Sequence, residues 1–415
     1  MQVDLGESLI MRTATTADEK AIERVVKVVF GKEVSSMIDR LFNYHHDSPP
    51  SDHFLIMDTT KQKVVSYFCL SRTTCILNGT QFPVGHMEIV ATLPEYRHRG
   101  LIRKLNDLFE QRVAEYKLPL LVIIGIPFFY RTLGYEFAIN FDGTLTIPNE
   151  LIPRLKKNEK EPVTIEEITE QTFDEYLTAR KHRNSYLDFY RIITPAEYPY
   201  LTHGKFGDDS VYRFYVVKRN TKTVGSFILS IGWGFLEMHE LWVKDLTHIP
   251  SILRYMKTIA RRRKLPIRIY LPSRPAIQPV LEGLSQSKFT RPYAWYVRIP
   301  SVKHFMETIT PVLENRLAHS DFTQLSDSLR INWFRAGIEL VFKNGKIKKI
   351  TYIKREEIKD MHVAVPFPVI YQLLMGYKTI DELYQIYPDA GAQSVKLQLV
   401  RVLFPKIRAQ LTPDF

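Results

Sequence analysis

Cysteine is nearly missing from this chain: Cys69 and Cys75 are the two thiols among 415 residues. That number is too small for a disulfide scaffold, and their spacing matches no metal-ligand pattern. No metal is therefore expected, and a cytoplasmic, reducing location is the simplest reading. Apolar runs of membrane-spanning length are lacking too, and the opening MQVDLGESLIMRT has neither the basic flank nor the apolar stretch of a signal peptide. No membrane partner is expected. Acidic residues are in deficit, 45 against 57 Lys and Arg, for a net charge of +12 at pH 7. Such a balance favours anionic ligands or surfaces without choosing among them. The densest basic run, Arg261-Arg262-Arg263-Lys264, lacks interleaved aromatics and zinc ligands, and before Leu265-Pro266 it reads as an ordinary helix end. Nucleic acid is thus not an expected partner; Phe227, Trp233 and Trp242 read as packing residues within strands.

What is present is a globular chain, 45% hydrophobic and 25% charged, too long for one hydrophobic core. Its order of elements starts with a strand over 8–13 and a helix entered at Thr15-Thr16-Ala17-Asp18 and running to about residue 30. Ile22, Val25, Val26, Val28 and Val29 give that helix its apolar face. Residues 40–52 do not read as a helix, and His45-His46-Asp47 before Pro49-Pro50 is expected in an exposed loop rather than around a metal. Strands follow at 54–57 and 64–75, with a turn at Asn78-Gly79.

The most informative stretch is HMEIVATLPEYRHRGLIRKL, residues 86–105. A strand at 86–92 is stopped by Leu93-Pro94, and apolar helical spacing runs from Leu101 to Glu115. Between them lies Arg97-His98-Arg99-Gly100. Free backbone amides, helix dipole and basic side chains at one helix N-terminus make a site for a pyrophosphate. A continuous apolar strand at 119–126 comes next, then Phe128-Phe129-Tyr130-Arg131-Thr132-Leu133-Gly134-Tyr135-Glu136-Phe137. Residues 141–147 are expected to close this unit near Pro148.

With RHRG followed by Leu101-Ile102, and YRTLGYEF downstream at the right separation, residues 1–150 resemble a GCN5-related N-acetyltransferase domain. Ile102 stands where that family often has a small residue. The resemblance implies that the backbone at Val90, Ala91 and Thr92 holds the pantetheine and thioester of acetyl-CoA. It also implies that His98, Arg99, Gly100, Leu101, Ile102 and Arg103 surround the pyrophosphate, with Gly125 and Ile126 along the same cofactor path.

The chain then begins again. Residues 164–173 carry helix and capping signals leading into a helix to about 181; strands are expected at 211–218, 223–231 and 235–243, a helix at 249–264 and a strand at 266–271. This order repeats that of the first unit without its RHRG turn, so residues 151–299 read as a degenerate second acetyltransferase-like domain. Residues 300–415 combine a helix over 302–317, strands at 329–333, 337–343 and 346–352 with a turn at Asn344-Gly345, and short helices at 366–375, 379–387 and 395–403. With VPFPVIYQLLMGYKTIDEL, LFP and the final TPDF, this third part resembles the sterol-carrier-like domain of Eis-like enzymes. The expected fold class is α/β (α+β): tandem GCN5-related acetyltransferase folds followed by a sterol-carrier-like α+β domain.

By the same resemblance, Tyr130 supplies a proton to the departing CoA thiolate and the carboxylate of Phe415 takes one from the amine. His86 and Glu88, two residues apart on one strand face, form the alternative base. Acetyl-CoA is then the donor cosubstrate for transfer to a primary amine: an aminoglycoside, a polyamine or a protein lysine. Assembly of several identical subunits is also implied. The competing expectation is a non-catalytic acyl-CoA-binding or regulatory protein on the same fold.

Overall fold

The computed structural model describes residues 2–141 and 143–412. In the first unit, strands β1 (Gln2–Gly6), β2 (Leu9–Thr13), β3 (His53–Asp58), β4 (Lys63–Leu77) and β5 (Thr80–Thr92) form an antiparallel meander. Asn78 and Gly79, both at positive φ (43° and 88°), make the tight turn between β4 and β5, the conformation that suits the right-handed twist of paired strands. Helix α1 (Glu19–Phe30) buries Ile22, Val25 and Val26, but Val28, expected on that face, is exposed. Residues 40–43 do belong to a helix, contrary to expectation: α2 (Lys32–Asn43) buries Met37, Ile38 and Leu41. A charged residue within that apolar face, Arg40, hid the pattern; its two terminal nitrogens donate to the carbonyls of Tyr200, Asp209 and Ser210. His45 is likewise buried rather than exposed, and burial holds its imidazole down to a pKa of about 3. No three-residue metal-binding group occurs among the described residues.

Helix α3 (Leu101–Glu115) follows and returns the chain to β6 (Leu120–Ile123), parallel to β5. Expected to reach residue 126, β6 stops at Ile123. After β7 (Glu136–Phe141), residues Thr144–Ile147 form β8, which does not close the first sheet. It pairs instead with Ile267–Tyr270 of the second.

That second sheet contains β9 (Thr164–Glu167), β11 (Arg213–Arg219), β12 (Lys222–Gly232), β13 (Phe235–Val243) and β14 (Ile267–Tyr270), in the order β8-β14-β13-β12-β11-β9. Residues 164–167 were expected to be helical; they are an edge strand, held to β11 in part by the Lys218–Glu166 ion pair at 2.7 Å. Strand β10 (Phe189–Arg191) joins the first sheet by pairing with β4, and β15 (Tyr293–Arg298) enters it between β6 and β7. The two units thus exchange a strand: β8 goes to the second sheet and β15 to the first. Helices α4 (Phe173–Asn184), α5 (Tyr198–Thr202), α6 (Ile249–Arg263) and α7 (Ile277–Ser285) complete this part. Trp233 lies at the β12–β13 turn, not within a strand, and is 90% exposed.

In the last part, α8 (Val302–Thr308) and α9 (Thr310–Ala318) replace the single expected helix. The break at Ile309 precedes Thr310-Pro311, where the proline ring restricts the residue before it and supplies no amide hydrogen. Strands β16 (Ser328–Asn332), β17 (Ala336–Lys343), β18 (Lys346–Lys354), β19 (Val363–Ala364) and β20 (Gly391–Ala392) form a third sheet, with helices α10 (Ile370–Leu374), α11 (Ile380–Ile386) and α12 (Ser394–Leu403). The chain returns to the first sheet through β21 (Ala409–Gln410), parallel to β10. One core packs residues of the first and second units together, including Phe68, Tyr130, Tyr200 and Phe214. Among the described residues no helix is long and apolar enough to cross a membrane.

Candidate active site

The site begins with a fault in the β4–β5 ladder. Tyr67 pairs with Ala91 and Cys69 with Glu88, so one residue of β4 faces two of β5. The extra residue, Ile89, has φ 52°, a strained conformation for a β-branched side chain and a mark of a bulge that re-aims its neighbours. Pairing of β5 with β6 ends at His86 opposite Val122. Residues 87–92 therefore have a strand neighbour only on the β4 side, and the sheet opens into a V beside Val90, Ala91 and Thr92. Thr92 has one carbonyl bond from the Arg97 side chain at 3.3 Å, and Ala91 is fully buried.

Beyond this opening comes the turn into α3. Its buried anchor is Tyr96, which donates to Asp58 at 2.6 Å and accepts from Lys61 at 3.0 Å. His98 (φ 62°) and Gly100 (φ 71°) take left-handed conformations, and the helix starts directly at Leu101 with no side-chain cap. The amides of Leu101, Ile102 and Arg103 belong to the first turn, where a helix supplies no acceptor. They remain available to an anion, flanked by exposed Arg97, His98, Arg99 and Arg103. Arg99 is not wholly free, because Glu7 at the β1–β2 turn is its ion-pair partner. An incoming phosphate must compete with that exposed carboxylate.

Tyr130 sits on the short turn after β6, 6% exposed, against Tyr296 and Tyr135. Burial and then the Glu88 carboxylate raise its pKa above the ordinary tyrosine value, which keeps the phenol protonated. Gly125 lies under the ring: a Cβ there would come within 1.9 Å of the Tyr130 Cε2. Gly125→Ala should therefore displace the phenol and destabilise the fold by about 1–3 kcal/mol, measurable by chemical denaturation. Unchanged stability and turnover would show that the ring need not sit there. Ile126, expected beside the cofactor, is 66% exposed.

His86 and Glu88 do meet: Nδ1 of His86 lies 2.8 Å from Oε1 of Glu88. His86 also packs edge-on against Trp295 of the exchanged strand at 5.3 Å. The Glu88 carboxylate further raises the pKa values of Tyr200 and Asp209, after burial in both cases. Tyr200, Asp209 and Arg40 went unnoticed in the sequence. Their only local signal was a charged residue inside an apolar helix face, and two of them come from the second unit. Cys69 and Cys75 are buried with thiols pushed up, Cys75 to about 12, so neither is a thiolate nucleophile near neutral pH.

The carboxyl-terminal segment enters the interior as far as it is described. Leu411 and Thr412 are buried, and Arg180 donates to the Thr412 carbonyl at 3.3 Å. Phe415, expected as a base, lies outside the described residues.

The second unit repeats the fault. Ser226 pairs with Trp242 and Ile228 with His239, leaving Glu240 as the extra residue at φ 52°. Counting back from each bulge, Glu237 and His239 occupy the positions of His86 and Glu88, a histidine–carboxylate pair in reversed order. No RHRG turn follows; Lys244 to His248 connect β13 directly to α6.

Comparison with known proteins bears on the fold. Residues 11–138 match the model of the acetyltransferase (GNAT) domain family. No curated protein sequence matches the chain. Among solved structures, a probable N-acyltransferase from Enterococcus faecalis is 16% identical, with a TM-score of 0.70, 98% of this chain covered and 100% of that one. Eis1 from Mycobacterium abscessus is 13% identical, with a TM-score of 0.62 over 98% and 100%. Yeast N-myristoyltransferase, solved with myristoyl-CoA, is 12% identical at a TM-score of 0.54, over 72% of this chain and 80% of that one. Residues 11–138 of this chain are thus similar to the acetyltransferase (GNAT) domain family, within a mixed α/β architecture that the Enterococcus faecalis and Mycobacterium abscessus structures share from end to end.

Proposed function

We propose that this protein transfers an acetyl group from acetyl-CoA to a primary amine, in a site shared by its first two units. The observation that carries the reading is a protonated phenol, Tyr130, and a carboxylate, Glu88, on the two sides of a sheet opening that leads to a basic helix N-terminus. The residues present fit acetyl-CoA: unpaired strand edge at 87–92 for the pantetheine arm, free α3 amides and cations for the pyrophosphate. A nucleophilic amine must be uncharged. Glu88, with His86 holding its other side, accepts the ammonium proton; the amine nitrogen then bonds to the thioester carbon. As the carbon–sulfur bond breaks, Tyr130 donates its proton to sulfur and the tyrosinate takes the proton that the newly bonded nitrogen sheds; the products are the N-acetyl amine and CoA, and the ammonium proton leaves Glu88 for solvent. No covalent enzyme intermediate is needed, in keeping with the buried thiols.

Carboxylates also set the kind of acceptor. The Glu88 charge reaches Asp209, whose pKa burial and then Glu88 raise, and two neighbouring carboxylates suit a molecule bearing more than one amine: a polyamine or aminoglycoside ahead of a single protein lysine. The test is release of CoA with a panel of primary amines, which should require both protein and amine. Arg99→Ala should weaken acetyl-CoA binding by calorimetry roughly ten- to a hundredfold, the loss of one charge-assisted contact, with circular dichroism unchanged. Acetyl-CoA binding without turnover on any amine would favour a regulatory acyl-CoA-binding protein instead.

A further inference from the structure

The second unit has its own strand–turn–helix at the place where the first offers its pyrophosphate site. There β13, the turn 244–248 and the fifteen-residue α6 stand as β5, the turn 93–100 and α3 do. Pairing of β13 with the parallel β14 stops at Met238 opposite Ile269, so this sheet opens as the first one does. A cavity of about 550 Å³ lies at that turn, walled by Arg219, Lys244, Asp245, His248 and Arg274 among others. Three cations face one carboxylate. Asp245 is committed to the fold, since its side chain accepts from the Thr247 amide at 2.9 Å. Arg219 and Lys244 make no side-chain hydrogen bond or ion pair among the described residues, although the Arg219 charge helps to lower the pKa of Asp245, after that residue's bonds with Thr247. His248, only 4% exposed and on the same wall, has an Nδ1 with no hydrogen-bond partner.

One difference from the first unit decides what the cavity accepts. Arg274, from the loop after β14, donates to the carbonyls of Val243 and Lys244 and so bridges the open V. The corresponding edge in the first unit is where a pantetheine arm would lie; here an arginine side chain occupies it. We infer that the second unit holds a non-catalytic anion site for a phosphate or pyrophosphate group, closed to the thioester arm of an acyl-CoA. Arg219 and Lys244 supply charge, Arg274 supplies charge from a fixed position, and His248 is a ring nitrogen on the wall that still needs a partner. The inference does not rest on acetyl transfer: a chain inactive toward every amine would leave it standing.

Pyrophosphate, 3′,5′-ADP and CoA are the probes, titrated into the full chain by calorimetry at constant ionic strength. Pyrophosphate should fill two sites. Arg99→Ala should weaken one, and the double variant Arg219→Ala/Lys244→Ala should weaken the other at least tenfold while leaving CoA binding and amine turnover as in the parent. If the site prefers a nucleotide, 3′,5′-ADP will outbind pyrophosphate in the Arg99→Ala background; if it takes free phosphates, the order reverses. As a second readout, the His248 imidazole resonance should move on pyrophosphate addition to the unmodified chain, which tests the site even if the double variant folds poorly. A double variant that binds two pyrophosphates like the parent, or a His248 resonance that does not respond, overturns the inference.

Discussion

Tyr130→Phe is expected to lower kcat for acetyl transfer by roughly two to four orders of magnitude, the usual contribution of a positioned general acid. Acetyl-CoA affinity and thermal stability should stay close to the parent. The ring keeps its contacts with Tyr296, Tyr135 and Phe129, and the hydroxyl has no hydrogen-bond partner among the described residues to lose. Because burial and then Glu88 raise the phenol's pKa, the parent should hold its acid well into alkaline solution, with no loss of rate until pH exceeds the ordinary tyrosine value of about 10. Glu88→Gln in the same assay separates acid from base: it should slow the reaction most at low pH, where fewer amines are deprotonated. If Glu88→Gln turns over like the parent, the base work passes to the Phe415 carboxylate. Parental turnover in Tyr130→Phe would remove the tyrosine from the mechanism altogether.

The largest stability effect is expected at Glu240. Its side chain is fully buried and meets Arg180 at 2.8 Å, Arg183 at 2.8 Å and the Tyr176 hydroxyl at 2.7 Å. Arg180 also holds the carbonyls of Arg191 and Thr412, tying β10 and the final segment to α4. Glu240→Ala leaves two buried guanidinium groups without their carboxylate, at a cost of about 3–5 kcal/mol. Urea unfolding should show it as a lower midpoint with little change in slope. The sign of the pH effect is equally specific. Burial alone would raise the Glu240 pKa, but the two arginine charges and their hydrogen bonds outweigh it and hold the carboxyl at about 2. A group depressed on folding contributes stability above its unfolded pKa of about 4.3 and loses it as pH falls toward the folded value. The gap between parent and Glu240→Gln should therefore narrow on acidification from about pH 4. A gap that is constant across this range, or an Ala variant as stable as the parent, would mean that the arginines find other partners.

Local patterns proved a good guide wherever one residue's environment is set by its sequence neighbours. Leu101–Glu115 forms the helix that its apolar spacing predicts, and Asn78-Gly79 and Asn344-Gly345 make the turns their positive φ preferences favour. The bulge at Ile89 carried no such signal: neither Ile89 nor Glu240 is a residue type that chooses a left-handed conformation. Both are held there by pairing on either side. Arg40 obscured α2 because its partners, three carbonyls from residues 200–210, lie more than 150 positions away.

By itself the sequence determined the strand, basic turn and helix over residues 86–115 and the meeting of His86 with Glu88 on one strand face. These follow from spacings of two to four residues, which backbone geometry converts directly into shared faces. Only the tertiary structure decided that β8 and β15 change places between sheets, that Tyr200 and Asp209 of the second unit come within reach of the Glu88 charge, and that Arg274 closes the second opening. An edge strand's backbone presents the same donors and acceptors to any partner. Which sheet it joins is settled by the side chains it must bury against surfaces remote in the chain, and no local pattern encodes that choice.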